Sequence, residues 1–159
     1  ALFSDFGILS EYILSALKIK KGYIEIDEFD RGPRRVFNYG HSFGHAIEAA
    51  TNFGVPHGVA VTIGMDMANF TAWELGIGHH KHFKRMHPTL YKNYSNFKDV
   101  DVPLNSLLDA LSKDKKNVGA SSINLILPDQ NGVMSLNPIA NDSKFSKVCE
   151  TYLAEIRYS

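Results

Sequence analysis

Three histidines, His41, His45 and His57, stand close together in a chain of 159 residues. His41 and His45 are four apart, so on a helix both imidazoles project from one face. Stacked in this way they can hold one metal ion. Alternatively, one binds metal while the other moves a proton beside it. His57 follows the turn-forming run Asn52-Phe53-Gly54-Val55-Pro56. If the helices on either side of that turn pack antiparallel, His57 returns towards His41 as a second nitrogen ligand. Two nitrogens do not complete a zinc site, because catalytic zinc takes three protein ligands and leaves a position open. Taken alone, a His-x-x-x-His pair describes hydrogen-bonded core histidines equally well. Its company adds weight. Gly40 and Gly44 interleave with the histidines, and glycine costs about 1 kcal/mol relative to alanine inside a helix. Close approach of a ligand or of another backbone would account for both. Arg34 and Asn38, also four apart, lead into the same stretch, and a guanidinium there suits a phosphate or a carboxylate.

The elements that must position these residues are mostly helical. Leu2, Phe6, Leu9, Ile13, Leu17 and Lys20 recur at spacings of three and four, which predicts a helix from Leu2 to about Lys21. The pattern runs on through Tyr23, Ile24 and Ile26, interrupted by Gly22. Asp27 to Arg35, charged and holding Gly32 and Pro33, reads as a loop. One helix should run from near Asn38–His41 to about Thr51, and the next from just after His57-Gly58 to Leu75, stopped by Gly76. The second is apolar nearly all round and should sit centrally in a helical core. Gly78 to Pro88, with His79, His80 and His82, reads as a polar, solvated connection, and Leu90 to Phe97 fits either helix or loop. Pro103 opens a short helix carrying Leu104, Leu107, Leu108 and Leu111. Ile123 to Leu127 is β-rich, Pro128 to Gly132 is a turn, and Val133 to Leu136 returns as a second strand. Ser143 should cap a last helix with the stripe Phe145, Val148, Cys149, Tyr152, Leu153 and Ile156. The fold class expected is mostly α, a multi-helix domain over 1–159 with one small late β element.

Composition bounds the function. Lysine plus arginine and aspartate plus glutamate each number 17, so no global charge draws the chain to nucleic acid or to an anionic membrane. The longest apolar stretch carries Asp66 and Glu74, as a buried helix can and a membrane span rarely does. The single cysteine, Cys149, forms no internal disulfide and fits a reducing compartment. The start has neither a basic region nor a cleavage-site pattern. The first methionine is Met65, from which we expect a piece of a longer protein. Met65, Met67 and Trp73 read as core, and Cys149 as an inert buried thiol.

The run Asn38-Tyr39-Gly40-His41-Ser42-Phe43-Gly44-His45-Ala46-Ile47-Glu48, followed by His57-Gly58 and Ala60 to Met65, resembles the C-terminal half of 3-dehydroquinate synthase and its sister sugar-phosphate cyclases. Lys20, Asp27-Glu28, Gly32 and Arg34 precede it in the family's order, and Asp114-Lys115-Lys116 resembles the family's lysine motif. The resemblance spans about Lys20 to Leu127. It implies that His41 and His57 are two of three ligands to Zn2+, or to another divalent metal such as Co2+, and that His45 assists proton transfer. It further implies that Lys20, Arg34, Asn38 and one of Lys115 and Lys116 contact substrate, with Lys20 near the chemistry. The implied reaction is a carbon–oxygen lyase step. A seven-carbon keto-sugar phosphate is transiently oxidised by NAD, loses phosphate, is reduced again and closes to a carbocycle. That places the protein in the shikimate pathway to aromatic amino acids, as a cytoplasmic homodimer.

The resemblance has gaps. No glycine-rich dinucleotide loop occurs in the chain. The family's third metal ligand is a glutamate upstream of the part this chain resembles. The chain by itself should therefore hold half a site and be inactive, since cofactor and substrate are no longer oriented against each other. After His57-Gly58 stands Val59, where the synthases usually carry glutamate and the sister cyclases vary. Two other readings follow: a sister cyclase or a metal-dependent polyol dehydrogenase, and a non-catalytic helical module that keeps the motif.

Overall fold

The structure, a computed structural model, describes residues 5–113 and 121–158. The chain divides into two compact units, Ala1–Phe37 and Asn38–Ser159.

The first unit is built on helix α1, Phe6–Ile26. The Asp5 carboxylate caps it by accepting from the Ile8 backbone N–H at 3.1 Å. The helix passes through Gly22 and ends five residues beyond the expected Lys21. None of its residues is buried, and Phe6, Tyr12, Ile13, Leu14, Leu17 and Ile19 are exposed. After it the chain folds around one carboxylate. Asp27 accepts backbone N–H bonds from Arg31 at 2.9 Å, Gly32 at 2.7 Å and Arg34 at 3.1 Å. The Arg31 N–H bond contributes most to holding the Asp27 carboxyl below its usual range. A 3-10 turn, Pro33–Asn38, closes the segment.

The second unit is mostly helical with one small β element, the fold class expected. Its elements are α2 (His41–Ala50), α3 (His57–Glu74), α4 (His80–Tyr94), α5 (Leu104–Lys113), strands β1 (Ser122–Pro128) and β2 (Met134–Ala140), and α6 (Ser143–Ala154). The strands form an antiparallel hairpin, with Ser122 opposite Ala140 and Pro128 opposite Met134. Helix α3 is the axis of the unit and packs against α2, α4, α6 and β1. Its burial runs almost without a break from Ala60 to Ala72, as its apolar circumference requires. Gly76, at φ 74°, ends that segment in the left-handed region. Met67 and Cys149 are fully buried, and Met65 and Trp73 pack against the core. Among the described residues no helix is long and apolar enough to cross a membrane.

Two expectations fail here. The stretch from Gly78 to Pro88 is not a solvated connection. His79 caps α4 through Nδ1, accepting from the Lys81 N–H at 3.0 Å, and the helix runs through Pro88. Burial of Phe83, Leu90 and Tyr94 along one face outweighs the bond the proline cannot make. His80 lies against Trp73, ring centroids 4.3 Å apart, so the three histidines begin a helix instead of lining a loop. The cap of α6 is Asp142, whose carboxylate accepts from the Phe145 N–H at 2.9 Å; Ser143 is the first helical residue.

The interior of the second unit holds a polar cluster on α3. Asp66, fully buried on α3, accepts from the Tyr94 hydroxyl at 2.7 Å and the Tyr152 hydroxyl at 2.9 Å, and pairs with His87 Nδ1 at 2.7 Å. All three reach the same oxygen, so one carboxylate ties α3 to α4 and α6. One turn along, Asn69 accepts from the Tyr39 hydroxyl at 2.6 Å.

Candidate metal centre

Helix α2 begins where it does because Gly40, at φ 74°, turns the chain in a conformation that side-chain-bearing residues rarely adopt. The same glycine lets α3 come close. A Cβ at Gly40 would stand 2.7 Å from the Met65 nitrogen, and one at Gly44 would stand 2.9 Å from the Val61 Cα. A Cβ at Gly64 would collide with the Gly40 carbonyl oxygen. The two glycines of the motif therefore answer to another backbone, that of α3.

That crossing brings the three histidines together. His41 is the first residue of α2, His45 lies one turn on, and His57 opens α3. Each pair of ring centroids is 5.7 Å apart, so the imidazoles form a nearly equilateral triangle. His41 is half-buried, whereas His45 and His57 are exposed. His41 Nδ1 lies 3.2 Å from the Tyr39 carbonyl oxygen. A carbonyl only accepts, so Nδ1 carries a proton, and in the neutral ring the lone pair is on Nε2. His57 Nδ1 lies 3.1 Å from Glu48 Oε2.

Glu48 belongs to the quoted motif, yet the sequence offered no role for it. Ligand atoms of His45, Glu48 and His57 all lie within 4.8 Å of one another. The available signal was spacing: three residues past His45 is the same helix face. Its partner on α3 could not be known without the turn geometry.

The other expected residues are distributed as follows. Asn38 is half-buried at the end of the 3-10 turn that precedes α2. Lys20, exposed on α1, and Arg34 belong to the first unit. The Arg34 guanidinium donates to the Glu28 carbonyl at 2.6 Å, and its backbone N–H is one of the three on Asp27. Lys115 and Lys116 lie outside the described residues. His45 also borders a cleft of about 610 Å³ between α2 and α5, lined among others by Ser42, Asp109 and Lys113.

Donor chemistry and spacing fit a divalent cation. Two imidazoles that share a tetrahedral ion through Nε2 place their centroids roughly 5 Å apart, close to the spacing here. Fold and site together define a helical domain that presents a cluster of histidines at a helix–helix crossing. Residues 3–117 match the family model described as 3-dehydroquinate synthase C-terminal, and the chain belongs to that family. It is 37% identical to the 3-dehydroquinate synthase of Dictyoglomus thermophilum over 135 residues, 83% of this chain and 37% of that protein. It is 34% identical to the 3-dehydroquinate synthase of Sulfurovum sp. over 158 residues, 96% of this chain and 44% of that protein. The chain thus spans about two fifths of the length of these relatives. The fold is shared with 2-deoxy-scyllo-inosose synthase in a crystal structure complexed with carbaglucose-6-phosphate, NAD+ and Co2+. There the TM-score is 0.64 at 22% identity, covering 76% of this chain and 36% of that one.

Proposed function

We propose that this chain is the metal- and substrate-binding part of a 3-dehydroquinate-synthase-like lyase, which converts a seven-carbon keto-sugar phosphate to a carbocycle with release of phosphate. The observation that carries the reading is the triangle of His41, His45 and His57 within a chain of this family. His41 and His57 would hold a divalent metal, Zn2+ or Co2+, with a third ligand from outside this chain. Bound there, a dication would lower the pKa of the substrate hydroxyl to be oxidised, and NAD would supply the oxidant. A structural neighbour that binds both NAD+ and Co2+ supports this pairing.

In this reading the chain's own residues bind, orient and move protons. His45, an exposed member of the triangle and the one not assigned to the metal, exchanges a proton with the substrate, a task suited to an imidazole. Lys20, Arg34, Asn38 and one of Lys115 and Lys116 bind the phosphate and carboxylate of the substrate. Asp27 serves Arg34 by fixing the backbone from which it projects. The intact protein would act in the cytoplasm as a homodimer, and a buried free thiol at Cys149 agrees with a reducing compartment.

The test is phosphate release by the intact protein from the seven-carbon keto-sugar phosphate. Val59, standing where the synthases usually carry glutamate, favours one second reading, a sister cyclase. Release only from a sedoheptulose phosphate or a glucose phosphate would establish it. No turnover and no bound metal in the intact protein would leave a binding module.

A further inference from the structure

The proposed function leaves one group at the histidine cluster without a task. Glu48 sits on α2, three residues past His45, and its carboxylate faces His57 across the α2–α3 crossing at 3.1 Å. The geometry points to Glu48 as the positioning residue for His57: it accepts a hydrogen bond from Nδ1–H and so presents Nε2 to the metal. This rests on the reading of His41 and His57 as metal ligands.

Four observations carry it. First, a carboxylate accepts and does not donate, so the contact places a proton on Nδ1, and in the neutral ring that a metal requires the lone pair is then on Nε2. Second, the His57 side chain is 56% exposed whereas that of Glu48 is 13% exposed. An imidazole with that much solvent around it is not held by packing, and the half-buried carboxylate is its visible anchor. Third, His41 is treated in the same way: its Nδ1 is engaged by the Tyr39 carbonyl at 3.2 Å. Both rings assigned to the metal are thus fixed in the same tautomer by an acceptor behind them. Fourth, the anchor is on a rigid base, because α2 meets α3 backbone to backbone at Gly40, Gly44 and Gly64. An acceptor behind a ligating imidazole orients the ring and raises the basicity of the ligating nitrogen, and its loss typically weakens metal binding 10–100-fold.

The competing arrangement is direct ligation by Glu48, since its oxygens lie within 4.8 Å of donor atoms of His45 and His57. Glutamine separates the two. Its side-chain carbonyl still accepts the Nδ1 proton, but it is a poor replacement for a ligating carboxylate.

The experiment measures Co2+ affinity of the intact protein by chelator competition, with no turnover needed, alongside the melting temperature of the metal-stripped protein. Glu48→Ala should weaken Co2+ by about 10–100-fold. Glu48→Gln should restore most of that loss, and neither should move the metal-free melting temperature. Unchanged affinity in Glu48→Ala would overturn the proposal. Loss of Co2+ in Glu48→Gln as complete as in His57→Ala would also overturn it, in favour of ligation. Full affinity in both His41→Ala and His57→Ala would instead remove the metal reading beneath it.

Discussion

The carbonyl oxygen of Gly40 occupies the place that a Cβ on Gly64 would need. Gly64→Ala therefore forces α2 and α3 apart at the point where the histidines meet. Overpacking of this kind costs about 1–3 kcal/mol. Gly22→Ala in α1 should do the opposite, because nothing lies within 4 Å of that added carbon. Relief of the helical glycine cost contributes up to about 1 kcal/mol there. Denaturant unfolding of the two variants should show shifts of opposite sign.

Tyr94 and Tyr152 donate to the same oxygen of Asp66. Removing one hydroxyl should cost about 1.5–3 kcal/mol, the range for a hydrogen bond to a charged acceptor. Their effects should not add, because they share an acceptor. A double-mutant cycle of Tyr94→Phe and Tyr152→Phe, read by chemical denaturation, should return a coupling of at least about 0.5 kcal/mol; simple additivity would show that the carboxylate does not join them.

Burial, with the charge of Asp66 adding to it, raises the Tyr39, Tyr94 and Tyr152 phenols above their ordinary range. Burial also pushes the Cys149 thiol up to about 12 from 9.0. All four groups keep their protons more tightly folded than unfolded. Their contribution to stability is full below the unfolded values, near pH 9 for the thiol and pH 10 for the phenols. It is lost as pH rises through the folded values. The midpoint of thermal unfolding should fall progressively above pH 9. At pH 8 the native thiol should resist iodoacetamide and react once the chain is unfolded. Rapid alkylation of native protein would place Cys149 nearer the surface.

Asp27 behaves in the reverse sense. Three backbone N–H groups favour its charged form, so its stabilisation of the Arg34 segment is present above pH 3.8 and lost as pH falls through the lower folded value. A carboxyl-detected NMR titration should find Asp27 ionising below 3.8. A midpoint at or above that value would mean the three bonds are not kept in solution.

His41 and His45 should part company when mutated in the intact protein. His41→Ala should abolish metal retention, because the two ligands assigned here are already few. His45→Ala should leave the metal bound and slow turnover by about 10²–10⁴. Elemental analysis with phosphate-release kinetics reads both. Undiminished metal in the first variant, or an unchanged rate in the second, would cancel the role concerned.

Much of this architecture could be read from residue order, and what could not has physical causes. The burial of α3 was plain, because its apolar residues surround the helix and Gly76 stops it. The meeting of His57 with His41 and His45 followed from a spacing of four and one tight turn. Helix α4 was missed because Pro88 and three histidines mask a face whose support, through Phe83, Leu90 and Tyr94, comes from tertiary burial. Gly40 and Gly44 signalled a close approach, but only the fold shows that a backbone makes it. The engagement of Glu48 with His57 spans two helices, so no local pattern could announce it. In the sequence Asp66 argues against a membrane span. A carboxylate amid the apolar residues of α3 implies donors that satisfy it, but residue order does not say which.

The contact between α2 and α3 contains main chain where most helix pairs have interlocking aliphatic groups. Ordinary interiors can drift, one leucine becoming methionine here and a valine becoming isoleucine there, with the helices sliding a little each time. A seam of bare peptide has no such gradations: it is either intact or broken. The gap between the imidazoles is thereby set by main chain, and side-chain changes elsewhere in the interior have little leverage on it.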